Sequence, residues 1–389
     1  MSYNKVMVCS LFIVGLCVIA ILKPLIAVGI QEKPRIEKIY MQEEGGVGPA
    51  FFYDDDGNGN GDKIIFISHE NGFSLNLYSC RHKKILDSQK LKNDRRNLKY
   101  RHKRGKIVIA GQYKKKARLL VYKIADEKII NTLDLTLGSQ YIDEVYVKGK
   151  YMAIVCGKRD VMMIYDVPRS QLVRRYDLDG FFYNIEHTKG AEAFFMSGES
   201  PDKLFLKMYY INENKTRDVV SVKRKNYNDN MVYCGLGDGN MIVAINRSAA
   251  LVTGVSTIFT YDIETADKNE IKYDGDIVLD IEYHEGACYI LSSDGNIYRY
   301  KNDTIERLSS LRKHGFAAGR FYGKLGNKII LCVDYNLLLL YDVNTKKVNE
   351  LKGYVVENSK SISKDQKTLL IRRVGEKRKA IYVLKIGAP

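Results

Sequence analysis

Along most of this chain, runs of about four apolar residues end in Tyr, often followed by Asp and another apolar residue. The motif falls at Tyr78, Tyr122, Tyr165, Tyr209, Tyr261, Tyr300 and Tyr341, with Leu384 in the equivalent slot at the end. Its intervals run from 39 to 52 residues, and self-similarity near that period marks four-stranded propeller blades. A second marker precedes each motif: a tight turn holding Gly61, Gly105, Gly149, Gly190, Gly239, Gly286, Gly326 or Asp365. Continuous apolar runs such as Met152 to Cys156 and Ile329 to Val333 follow most of these turns. After the Tyr strand comes a polar turn and then an alternating segment, as in Gln171 to Leu178. Inner strands packed on both faces read as continuously apolar, whereas the outermost strand of a blade can alternate. A helical solenoid of similar period would show a 3.6-residue periodicity, which these β-branched and Tyr-rich runs lack.

The pattern predicts an all-β, eight-bladed β-propeller, with seven blades as the alternative count because two intervals are irregular. The last repeat supplies only three strands, in Val355 to Ser363, Thr368 to Arg372 and Ala380 to Ile386. Arg35 to Met41 alternates and is left over before the first full repeat. It is expected to complete the eighth blade, joining the two ends of the domain in one sheet and removing an open edge.

Ahead of the propeller, Val6 to Leu22 is an uncharged, mostly apolar run, resumed from Leu25 to Ile30 after Lys23 and Pro24. Seventeen residues is just enough to span a bilayer, and Lys23 can snorkel toward the interface. The expected organisation is therefore a membrane anchor over residues 1–30, a short tether over 31–34 and the propeller over 35–389. The positive-inside count is nearly balanced, with Lys5 and the free amine against Lys33, Arg35 and Lys38. An N-terminal anchor ordinarily leaves the bulk of the chain extracytoplasmic; secretion after cleavage near Ala27 and Gly29 is the alternative.

Composition sharpens this in three ways. Hydrophobic residues make up 45% of the chain, ample for a packed core. Of the seven cysteines, Cys9 and Cys17 fall in the N-terminal apolar run, and the other five, without short paired spacing, read as small core residues more than as a disulfide framework. The formal net charge of +16 calls for an anionic neighbour. Sixteen Lys and Arg stand against two Asp between Arg81 and Arg118. Arg95, Arg96, Arg101, Lys103, Arg104, Lys114, Lys115 and Lys116 are the candidate anion-binding residues there. Arg378 and Lys379 join them from the last repeat, because a closed ring places blade 8 beside blade 1. Since the tether spans at most about 14 Å, anionic lipid or an anionic cell-surface polymer is the expected contact. Nucleic acid is disfavoured, as no recognition motif is present.

The most specific local motif is Asp54-Asp55-Asp56-Gly57-Asn58-Gly59-Asn60-Gly61-Asp62. Alternate oxygen donors on a Gly-permitted loop suit a hard cation that takes six to eight oxygens. An EF-hand is excluded, since Ile65 stands where its bidentate Glu would be. The loop instead resembles the D-x-[DN]-G-[DN]-G-x-x-D pattern of FG-GAP and VCBS repeats. That resemblance covers about nine residues in one blade; it implies calcium held by Asp54, Asp56, Asn58, Asn60 and Asp62 between the first two strands.

Little in the sequence points to catalysis. The six histidines have no metal-ligand spacing, and no G-x-S-x-G, H-E-x-x-H or P-loop motif occurs. Tyr165-Asp166, Tyr261-Asp262 and Tyr341-Asp342 recur at equivalent positions and are expected to close turns. The chain has no Trp, unlike quinone-dependent and many sugar-binding propellers. It shares blade number and anchor with the eight-bladed outer-membrane assembly lipoproteins, but not a repeat signature. These readings favour a protein-binding or assembly scaffold whose partner is unspecified. A propeller hydrolase or lyase acting at the central channel is the alternative.

Overall fold

The computed structural model describes residues 34–41, 46–53, 62–69, 72–91, 99–103, 106–113, 116–137, 142–156, 161–178, 181–187, 193–213, 215–236, 239–250, 253–265, 267–314, 319–333, 336–356, 362–363, 365–376 and 380–386. Their strands form eight sheets of four antiparallel strands each. The eight-bladed count therefore holds, and the uneven intervals reflect connections of different length. Blade 1 runs through Gly46–Tyr53, Lys63–His69, Phe73–Ser79 and Lys84–Leu91. Six more meanders follow, ending with blade 7 at Val348–Lys352.

Blade 8 closes the ring as the leftover strand requires. Its sheet runs Tyr354–Val356, Thr368–Arg373, Ala380–Lys385 and finally Arg35–Met41 as the outermost strand. Arg35 lies opposite Lys385 and Met41 opposite Ala380, so the pairing is antiparallel from end to end. Side chains from both ends of the domain then pack with blade 1. Val47, Phe52, Ile64, Phe66 and Tyr78 share a cluster with Leu370, Ile381 and Val383, and Ile39 and Tyr40 cover it. The Tyr40 ring lies 4.7 Å from Phe66, and the Tyr78 hydroxyl donates to the Ile39 carbonyl at 2.6 Å. Each large apolar side chain buried in such a seam contributes roughly 1.5–3 kcal/mol.

The central strands carry the core, as their unbroken apolar runs demand. Tyr151–Cys156, Ala287–Ser292 and Lys328–Val333 are buried at every position. Outer strands alternate, with Lys128–Leu137 burying only every few residues. The glycine turns join the first and second strands of their blades. Gly149, Gly286 and Gly326 all take positive φ with open space where a Cβ would stand. Backbone conformation, not crowding, selects glycine there.

Because every sheet is an antiparallel meander, the ring has two unlike faces. One carries the turns between first and second strands and those between third and fourth strands. Arg35, where the tether meets the closing strand, lies at this end too, so we term it the tether face. The far face carries the second-to-third turns and the connections between blades. Among the described residues no helix is long and apolar enough to cross a membrane. The apolar segments Val6 to Leu22 and Leu25 to Ile30 lie outside them.

Candidate functional site

The repeated Tyr-Asp pairs are turn closures. Asp262 accepts the Glu264 and Thr265 amides, both at 2.8 Å, and Asp342 does the same for Asn344 and Thr345. Asp166 accepts from Arg169. Asp342 also takes the Lys328 ammonium at 2.8 Å in a nearly inaccessible ion pair. Burial would raise its carboxyl pKa; Lys328 and the Thr345 amide outweigh that and hold it below the usual range. These residues build blades and carry no site.

Two places combine charge, burial and chemistry. The first is the tether face at the seam of blades 8 and 1. The acidic loop joins the first two strands of blade 1, where Tyr53 pairs with Lys63. Asp54, Asp56, Asn58 and Asn60 lie outside the described residues. Asp62, at the loop's end, is exposed, and its carbonyl accepts the Cys80 amide at 2.7 Å. Burial, with the Asp62 charge adding to it, pushes the Cys80 thiol up to about 12, so it is no nucleophile. Alongside, Glu37 is held below its ordinary value by the Lys385 ammonium at 2.8 Å and, more weakly, by Lys83 and Arg35. Three cations thus act on one carboxylate near the start of the closing strand.

The topology divides the basic run between the two faces. Arg81, Lys83 and Lys84 are exposed at the third-to-fourth turn of blade 1, on the tether face. The blade 2 strand of Lys99–Lys103, which contains Arg101, reaches the same face at Lys103. Lys90 and Lys116 stand instead at far-face strand ends, and Arg372 and Arg373 do likewise in blade 8. Arg95, Arg96, Arg104, Lys114, Lys115, Arg378 and Lys379 lie outside the described residues. Within the expected sector of blades 8, 1 and 2, the described basic residues thus divide between the two ends of the ring. Blades 8, 1 and 2 are neighbours, but antiparallel hairpins send successive charged stretches to opposite ends of the ring.

The second place is the inner end of blades 5 to 7, which the sequence reading missed. Asp229, almost wholly buried, accepts the Lys225, Asn226 and Ser248 amides and the Arg247 guanidinium at 2.7 Å. Burial opposes ionisation, yet these donors bring its carboxyl down to about 2. Asp280 is the opposite case. Its oxygens accept the Ile281 amide and, across the seam in blade 7, the Phe321 amide at 2.8 Å. Burial dominates and, aided by Glu282, pushes it up to about 7 despite those amides and Arg320. Glu282 and His284 follow at alternate positions of the same strand, with His284 Nε2 3.3 Å from Glu282 Oε1. An acid after the apolar Val278-Leu279, inside a strand-like run, was the only signal in the sequence.

The ring, its terminal closure and its two faces define a β-propeller of the eight-bladed class. No family model matches the chain, and no curated protein matches it in sequence. Solved structures do match in shape. The computationally designed Ika8 protein superposes with a TM-score of 0.61 at 13% identity, covering 90% of this chain and all of its own. The Dos1 propeller gives 0.58 at 10% identity, covering 91% of this chain and 96% of its own. BamB from Moraxella catarrhalis gives 0.55 at 11% identity, covering 91% and 99%. At such identities the likeness is one of fold.

Proposed function

We propose that this protein is a non-catalytic, membrane-anchored scaffold that holds an extracytoplasmic propeller against a protein partner. The observation that carries the reading is the path of the chain. An apolar segment leads through a short tether to Arg35, and the strand that begins there closes the ring. Anchor and domain are thus coupled through blade 8, not through a long free linker. Bound calcium in the loop of Asp54, Asp56, Asn58, Asn60 and Asp62 fixes the first two strands of blade 1, and the basic residues add attachment to an anionic surface. Calcium that binds the folded ring must raise its stability. A saturating calcium titration is expected to raise the melting temperature, and Asp54→Ala with Asp56→Ala to abolish the rise. No shift in the parent protein rejects the calcium site. Capture of the anchored protein from its native membrane, with and without chelator, tests the partner reading; recovery of the chain alone in both cases rejects it.

A second reading, an enzyme working at the inner strands, has Asp280 in its favour. A carboxyl held near neutrality, with Glu282 and His284 beside it, has the properties of a general acid or base. Both its oxygens are already engaged by backbone amides, and this favours the structural role.

A further inference from the structure

The tether-face rim of blades 1 to 3 carries exposed apolar side chains, and in blade 1 they adjoin a basic turn. Ile85, Ile130 and Leu172 are among the few large apolar side chains left exposed, at 42%, 40% and 44%. Each stands near the start of its blade's outermost strand, so all three lie just behind the tether-face turn. The exposed cations Arg81, Lys83 and Lys84 directly precede Ile85 at the same turn of blade 1. Outermost strands that face water need no apolar residue at that place. Ile85 and Leu172 pair with Tyr78 and Tyr165 beside a β-bulge that recurs in the two blades, and Ile130 pairs with Lys123, one place nearer the turn.

We propose that this rim is a lipid-docking surface whose occupant is the anionic headgroup layer of the membrane holding the N-terminal segment. Two observations select that occupant. The described chain reaches the ring at Arg35 on the same face, in the neighbouring blade, so an apolar segment ahead of a four-residue tether brings a bilayer to this side. The charge is complementary as well: the exposed cations of the blade 1 turn adjoin Ile85, a pairing of apolar and cationic side chains that suits the interface of an anionic bilayer. The rim then lies on the membrane and the far face, with its interblade connections, is left free for a protein. The proposal rests on the anchored reading above and is tested separately from it.

The absence of Trp from the chain provides the reporter. Ile85→Trp introduces a single indole at the rim, and Tyr227→Trp introduces one at an 86% exposed position in a far-face connection. The full chain carrying either change is reconstituted in vesicles of phosphatidylcholine brominated near the headgroup, with or without phosphatidylglycerol. Flotation with both vesicle types supports the anchor, and flotation with neither overturns it. Given flotation, quenching of the indole at position 85 that exceeds quenching at 227 severalfold, grows with phosphatidylglycerol and falls in Lys83→Glu/Lys84→Glu supports the rim. Equal quenching at the two positions, or quenching indifferent to lipid charge, overturns the rim while the anchor stands. Leu172→Trp is expected to behave as Ile85→Trp, and a rim reporter that stays unquenched at both positions overturns the proposal.

Discussion

Blades 6 and 8 have the same four-stranded plan and are assembled in opposite ways. Blade 6 is one continuous meander from Val278 to Ser310, with tight turns at Glu285-Gly286 and Asn302-Asp303, where all four residues take positive φ. Blade 8 brings together residues 348 apart in sequence, as in the ion pair of Lys385 with Glu37. Local hairpins form at little entropic cost, whereas joining chain ends costs loop-closure entropy and repays it only when the seam core is complete. Blade 6 therefore carries its information in turns and one half-buried carboxylate. Blade 8 carries its information in strand register and in the apolar cluster it shares with blade 1.

The largest effect is expected from removing Arg35–Met41. This leaves Ala380–Lys385 as an unpaired edge and uncovers Phe66 and Tyr78, so the single cooperative melting transition should be lost and aggregation should follow. A shortened chain that melts like its parent would break the contrast between the two blades.

Next in size is the pH dependence set by blade 6. Asp280 holds its proton more tightly in the folded ring, with a pKa of about 7, than in the unfolded chain, near 3.8. Its stabilisation is complete below about pH 4 and is lost as pH rises toward 7, on the order of 4 kcal/mol by linkage. Asp280→Asn cannot ionise. Measured by denaturant unfolding from pH 5 to 8, the variant should gain on its parent as pH rises to about 7 and level off above it. Parallel curves would remove Asp280 as the cause.

The smallest is Tyr78→Phe in the blade 8 seam. It deletes the hydroxyl that donates to the Ile39 carbonyl and keeps the ring against Tyr40, so about 1 kcal/mol should be lost. A loss several times larger would place the closure energy in this one hydrogen bond instead of in the apolar cluster.

The legibility of the chain follows the range of its interactions. Repeated Tyr strands, glycine turns and apolar second strands are set by neighbours a few residues away, so their period was readable and the blade number narrowed to eight or seven, the uneven connections leaving that choice to the structure. The spare strand Arg35–Met41 was readable too, because a missing fourth partner is a matter of counting. The acidic loop could be placed between the correct strands of blade 1 for the same reason. Asp229 and Asp280 were not readable as a pair with contrary behaviour. Their difference comes from an Arg and three amides gathered around one, and from burial beside Glu282 for the other.

The sequence by itself determined a bladed ring closed by the strand Arg35–Met41, since period, turn chemistry and strand polarity are local properties, while the choice of eight blades over seven came from the structure. Only the tertiary structure decided which charges stand together. Antiparallel strands carry successive stretches of one basic run to opposite faces, and closure of the ring brings Arg35 and Lys83 to the same carboxylate, Glu37.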